Sequence, residues 1–298
     1  MENKIANWSY LKGILAEHGF GFRKSLGQNF LIDKNILRQI VEASGVSSDC
    51  AVLEIGAGAG VLTFELANAA RKVVSVEIDR ALLPILGRNL AEFDNVSIIS
   101  DDILKVDVGK LFEEHFAGQD VRVVANLPYY ITTPIIMRLL ESSLPNLRSL
   151  TVMVQKEVAA RIAAAPGGKD YGALSVAAQY HTRPMVAFDV SPGCFVPPPK
   201  VSSSVVHLEV LPQKSVAVED ESMFFALVRA AFGQRRKTLL NSVSNGLELV
   251  GTNCVRPLSK DMIISALEEM RKRSDIRGEV LSVVEFAELT NILRRKLL

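Results

Sequence analysis

Ala51-Val-Leu-Glu-Ile-Gly-Ala-Gly-Ala-Gly60 is a five-residue strand pattern running into a glycine turn, where a ligand can approach the backbone closely. Outward from it the same arrangement repeats. Strands are expected at Ala51–Ile55, Val73–Val76, Val96–Ile99, Val121–Ala125 and Leu150–Val154, each followed by a segment of helical period. That alternation specifies an α/β fold built on a doubly wound sheet. Gly56 and Gly58 follow the first strand, Glu77 the second, Asp102 the third and Asn126 the fourth. Ligands in open α/β sheets bind outside the carboxyl ends of the strands, so four successive ends bearing glycine or polar residues imply one shared crevice.

The 298 residues have room for one large domain and a small one, and 48% hydrophobic content supplies a core. Composition turns helical near Pro212, which divides the chain into residues 1–211, with an N-terminal helix and lid loop in 1–33, and a helical domain in 212–298. A formal net charge of +1 excludes a globally basic nucleic-acid binder, so contact with nucleic acid falls to local patches. Cys50, Cys194 and Cys254 form no Cys-x-x-Cys or Cys/His ligand pattern, which argues against disulfides and against a metal. Met1 to Tyr10 lacks the apolar core of a signal peptide, and no window of 18 residues is free of charge or breakers. A cytoplasmic monomer is the expectation.

Within the crevice, Gly-x-Gly-x-x-Gly for a dinucleotide needs glycine where the chain has Val61, so the pyrophosphate fingerprint is incomplete. Glu77 follows Gly56 at the roughly 20-residue spacing at which a carboxylate accepts from ribose hydroxyls. Asp102 is placed to accept from an adenine amine, whereas Asp101 reads as a solvated carboxylate. An adenosine ligand without phosphates matches this set. S-adenosylmethionine is the candidate, since its sulfonium suits an acidic, carbonyl-lined pocket and it carries its own electrophile.

The fourth strand ends on Asn126-Leu-Pro-Tyr129. Pro128 stiffens the turn, which offers the Asn126 side-chain oxygen, the Leu127 carbonyl and the Tyr129 ring to one planar guest. An exocyclic base amine suits those two acceptors, which would draw its lone pair out of the ring, while stacking on Tyr129 holds the base. A proline-stopped strand with a tyrosine capping the core would show the same residues. Upstream, Asp33 is expected to cap a helix after a lid loop in which Asn29 faces the cofactor and Arg23 and Lys24 touch phosphates. Phe195, before three prolines, is a candidate for the second face of a flipped base, or else a core aromatic. A helix over Met223 to Val243 would carry Arg235, Arg236 and Lys237 off its apolar stripe, a cationic knob for RNA. Ser282-Val-Val-Glu285 is a capping box.

Taken together, Gly27-Gln-Asn-Phe-Leu-Ile-Asp33, Glu54-Ile-Gly-Ala-Gly58, Val76-Glu-Ile-Asp79, Asn126-Leu-Pro-Tyr-Tyr-Ile-Thr-Thr-Pro134, Gln155-Lys-Glu-Val158, Tyr171-Gly-Ala-Leu-Ser175, Phe195-Val-Pro-Pro-Pro-Lys-Val201 and Gln234-Arg-Arg-Lys-Thr238 resemble, in order and nearly end to end, the ribosomal RNA adenine N6-dimethyltransferases, in their small-subunit branch. Any one motif is weak; their order is specific. The resemblance implies a seven-stranded sheet and S-adenosylmethionine contacts at Asn29, Leu31, Gly56, Glu77, Asp102 and Asn126. It implies catalysis through Asn126, Leu127, Pro128 and Tyr129, and dimethylation of two adjacent adenines in the 3′-terminal hairpin loop of 16S rRNA. Relatives acting on large-subunit RNA share Asn-x-Pro-Tyr, so the reaction is implied more firmly than the substrate. A ribosome-assembly factor with methylation secondary is the rival from another class. A nicotinamide oxidoreductase, disfavoured by Val61, is third.

Overall fold

The computed structural model describes residues 3–23, 26–142, 144–246 and 258–297, so Lys24 and Cys254 lie outside the described residues. Nine strands are assigned among them: β1 (Phe30–Leu31), β2 (Ala51–Ile55), β3 (Lys72–Glu77), β4 (Val96–Ser100), β5 (Val121–Asn126), β6 (Leu147–Gln155), β7 (Thr182–Val190), β8 (Phe195–Val196) and β9 (Ser203–Val210). Seven form one sheet in the order β4-β3-β2-β5-β6-β9-β7. The five strands from β4 to β6 are parallel, and β9 runs antiparallel to β6. Every residue of β2 is buried, as in a parallel strand covered on both faces, whereas the edge strand β4 is only partly covered.

Chain order leaves β2 for β3 and β4 on one side and returns to β5 and β6 on the other. The gap between the ends of β2 and β5 is therefore a topological switch point, where an open α/β sheet forms its crevice. The glycine turn continues from β2 into the helix Val61–Ala69, and Asn126 is the last residue of β5. On the N-terminal side, Asp33 caps the helix Lys34–Ser44, its Oδ1 accepting from the N–H groups of Asn35 at 2.9 Å and Ile36 at 3.1 Å. Gly45, at φ 63°, ends that helix in the left-handed conformation that a side chain disfavours.

Two compact units emerge: Met1–Ala159 with Arg183–Val210, and Ala160–Thr182 with Leu211–Leu298. The chain reading places one division at 211/212; residues 160–182, which it gives to the catalytic part, cluster with the C-terminal helices instead. Long-range packing inside that second unit accounts for the difference. The Tyr180 ring stands 5.0 Å from that of Phe224, and its hydroxyl donates to Glu221 Oε1 at 2.9 Å.

The expected helix over Met223 to Val243 is two helices, Glu221–Gly233 and Leu239–Gly246. Gln234 leaves helical geometry at φ −133°, ψ 74°, and the Leu239 N–H donates to the Ile276 carbonyl at 2.7 Å, so the second helix starts afresh. The cationic Arg235-Arg-Lys237 therefore sits in a turn between helices. At the chain's end, Ser282 and Glu285 form the capping box: the Ser282 N–H donates to Glu285 Oε2 at 2.8 Å, and the Glu285 N–H to Ser282 Oγ at 3.2 Å. No helix among the described residues is long and apolar enough to cross a membrane.

Candidate active site

Glycine is required in the turn after β2. Gly56, Gly58 and Gly60 have φ of 79°, 59° and 87°, and a Cβ on Gly58 would stand 3.3 Å from the Phe30 ring. Their amides are already engaged: Gly56 N–H donates to the Val76 carbonyl (2.8 Å), Gly58 N–H to Glu77 Oε2 (2.8 Å) and Gly60 N–H to the Ala57 carbonyl (2.9 Å). A dinucleotide pyrophosphate would need such amides free. Their internal use agrees with Val61 standing where the fingerprint wants glycine.

Glu77 closes β3, and its second oxygen, Oε1, accepts from the Asp79 N–H at 2.8 Å. Burial pushes its carboxyl above the usual range, opposed by the backbone donors of Asp79 and Gly58. Each oxygen keeps lone-pair capacity for a ligand hydroxyl, so the residue fits a ribose. Deeper in β2, burial raises the Glu54 carboxyl to about 7. Its Oε2 accepts from the hydroxyls of Thr63 at 2.6 Å and Ser75, while Oε1 has no hydrogen-bond partner among the described residues.

Asn126 donates from Nδ2 to the Asn29 carbonyl at 3.1 Å. That bond sets the amide's orientation and leaves Oδ1 as the accepting end. Leu127 is buried, its N–H donating to the Met153 carbonyl at 3.3 Å. The Pro128 carbonyl accepts from the Ile131 N–H (3.2 Å) and the Thr132 hydroxyl (3.1 Å), which locks the turn. Tyr129 Oη lies 2.6 Å from Ser203 Oγ. Burial raises the phenol above its ordinary pKa, so Tyr129 stays neutral. Tyr130, exposed, stands beside it.

The segment before β1 is tied down at Asp79, a buried carboxylate. Gln28 Nε2 donates to Asp79 Oδ2 at 2.7 Å, the Arg23 guanidinium lies 3.2 Å from Asp79 Oδ1, and the Arg23 N–H donates to Gln28 Oε1 at 2.8 Å. One cleft then gathers Leu26–Leu31 on either side of the start of β1, the glycine turn, Glu77 with Ile78, and Asn126–Ile131.

The structure thus brings Asn29, Leu31, Gly56, Glu77, Asn126, Leu127, Pro128 and Tyr129 to one cleft. Other residues singled out in the sequence go elsewhere. Asp102 follows β4 but does not line the cleft; its Oδ1 accepts from the Leu104 N–H at 3.0 Å, and its Oδ2 faces Lys105 at 3.7 Å. Phe195 does not offer a ring face to a base: it is 2% exposed and part of the hydrophobic core. Its strand, β8, pairs antiparallel with β1, Leu31 opposite Phe195, which turns the ring inward. Arg235 is exposed, but its guanidinium donates at 2.7 Å to the carbonyls of both Lys169 and Tyr171, bracing a loop of its own unit. Arg236 and Lys237 are exposed. Sequence reasoning missed Asp79, although it stands in the quoted Val76-Glu-Ile-Asp79, and Ser203, which is hidden in a run of serines.

Residues 19–271 match the model of the family described as ribosomal RNA adenine dimethylase. Curated relatives called ribosomal RNA small subunit methyltransferase A include one from Geobacillus thermodenitrificans, 51% identical over 98% of both chains, and one from Bacillus pumilus, 50% identical over 100% of both. Among solved structures, a dimethyladenosine transferase from Plasmodium falciparum is 26% identical with a TM-score of 0.72, covering 86% of this chain and 94% of its own. The 23S rRNA methyltransferase ErmE, 24% identical with a TM-score of 0.64 over 89% of this chain and 100% of its own, shares the fold.

Proposed function

The chain belongs to the ribosomal RNA adenine dimethylase family and is an rRNA adenine dimethyltransferase, and from that premise we propose how its cleft works and on which RNA. Its substrate is the small ribosomal subunit, where it dimethylates N6 of two adjacent adenosines in the 3′-terminal hairpin loop of 16S rRNA during ribosome biogenesis in the cytoplasm. The full-length likeness to small-subunit methyltransferases supports that choice over large-subunit RNA.

Bound in the cleft, S-adenosylmethionine supplies a methyl group made electrophilic by its sulfonium. The residues fit it: Glu77 offers carboxylate oxygens to ribose hydroxyls, the glycine turn leaves room for close approach, and the amides of Gly56, Gly58 and Gly60 are engaged within the protein rather than held out to a phosphate. On the substrate side, Asn126 Oδ1 and the Leu127 carbonyl accept the two N6 hydrogens of the target adenine. Gripped from both, the nitrogen becomes more tetrahedral and its lone pair leaves conjugation with the ring. Tyr129 stacks on the base for roughly 1–3 kcal/mol, comparable to the few kcal/mol that extruding it from a helix costs. No strong base is required. The amine turns cationic only as the bond to methyl forms, and its proton then leaves to water. In the second round one hydrogen remains, so only one acceptor is engaged and the pocket must admit a methyl group in place of the other hydrogen.

The observation that carries this reading is the Asn126 amide, held by the Asn29 carbonyl with Oδ1 left to accept, in the same cleft as Glu77. The test uses labelled S-adenosylmethionine with small subunits lacking the 3′-end adenine methylations or, separately, large-subunit RNA, followed by nucleoside mass analysis. Dimethyladenosine from the small subunit alone is expected. Label only in large-subunit RNA would reassign the substrate, and none in either would leave a binding protein. Asn126→Ala should lose about 10²-fold in turnover with a smaller loss in cofactor affinity; undiminished turnover would remove Asn126 from catalysis.

A further inference from the structure

Ser203 is the first residue of β9 and is fully buried. Its hydroxyl meets the Tyr129 hydroxyl at 2.6 Å across 74 residues of chain. The next serine does something else: Ser204 donates to Asp189 Oδ1 at 2.7 Å, as alternation along a strand requires. The register gives the pairing its reach. Ser203 stands opposite Gln155 of β6, and Asn126 opposite Met153 of the same strand. Phenol anchor and amide acceptor are thus tied to one strand, two residues apart along it, by ladder hydrogen bonds.

Pro128 fixes only the backbone before Tyr129; the ring keeps two side-chain torsions of its own. We infer that Ser203 is a positioning residue for methyl transfer, anchoring the Tyr129 hydroxyl so that a base stacked on the ring presents its amine to Asn126 Oδ1 and the Leu127 carbonyl together. This role rests on the reading that Tyr129 stacks on the target adenine. Orientation matters at this point because catalysis by held acceptors depends on the reacting nitrogen arriving in attack geometry.

A double-mutant cycle tests it on undermethylated small subunits, with wild type, Ser203→Ala, Tyr129→Phe and the double variant, alongside cofactor titration and thermal melting of each. Each single variant is expected to lose about 3- to 10-fold in kcat, the worth of one hydrogen bond, with cofactor affinity held. The double variant should lose no more than either single one, because both remove the same contact. Losses that multiply would place the effect of Ser203 elsewhere, and full activity of Tyr129→Phe would overturn the anchor even if Ser203→Ala fails to fold. A loss of cofactor affinity in step with melting temperature would make Ser203 structural only. Wild-type protein inactive on both RNAs would instead strike the function itself, and the anchor with it.

Discussion

Glu54 has its carboxyl raised by burial to about 7, from 4.5 in an open chain, with Ser75, Thr63 and Glu77 as lesser influences. The folded chain therefore holds a proton that the unfolded chain releases. Its contribution is fully present below pH 4.5 and lost as pH rises through 7, a swing of about 3 kcal/mol. Denaturant titrations of wild type and Glu54→Gln from pH 5 to 8 should show the wild type losing more stability than the variant as pH rises. Parallel profiles would mean that Glu54 ionises in the fold at an ordinary pH. Asn126, by contrast, was legible as a cleft candidate because an amide after an apolar run and before proline is unusual. The chemistry of an amine guest already pointed to its oxygen as the accepting end; what holds the amide that way, the Asn29 carbonyl 97 residues away, was not legible.

At the level of elements, the short β1–β8 ribbon comes up against the glycine turn where Phe30 faces Gly58. A side chain there is doubly opposed, by φ +59° and by the ring 3.3 Å from the would-be Cβ. Gly58→Ala should cost about 1–2 kcal/mol of strain and lower the melting temperature by about 2–8 °C. It should also weaken cofactor binding, since the Gly58 N–H holds Glu77. Calorimetry of the variant with S-adenosylmethionine checks this, and unchanged affinity would separate the turn's shape from Glu77's grip. The proline triplet after Val196 lies between β8 and β9, as residues without an N–H to donate cannot enter a sheet interior. Its meaning for Phe195 was not readable, since the strand partner beside which the ring is buried is β1, at Phe30 and Leu31.

Across the whole molecule, a net charge of +1 leaves RNA affinity to local patches. Arg236 and Lys237 are exposed in the turn between two helices, while Arg235 is committed to carbonyls of its own unit. Arg236→Ala with Lys237→Ala should raise the KM for small subunits and lower the salt slope of binding by about one to two. Cofactor affinity should not move. An unchanged slope would remove this turn from the RNA contacts, whereas for Arg235→Ala a loosened loop, seen as faster proteolysis in 165–172, is the first consequence.

The sequence by itself determined the α/β alternation, the parallel strands and the cleft residues Gly56, Glu77 and Asn126, because strand periodicity and the order of strand ends are local properties that a switch-point sheet converts into one site. Only the tertiary structure decided that Phe195 belongs to the core, that Asp79 holds Gln28 and Arg23, that Ser203 meets Tyr129, that the helix after Met223 stops at Gly233, and that residues 160–182 cluster with the C-terminal helices. Most of these depend on which distant segments meet, and a side chain's partner across tens of residues leaves no mark on the period of its own stretch.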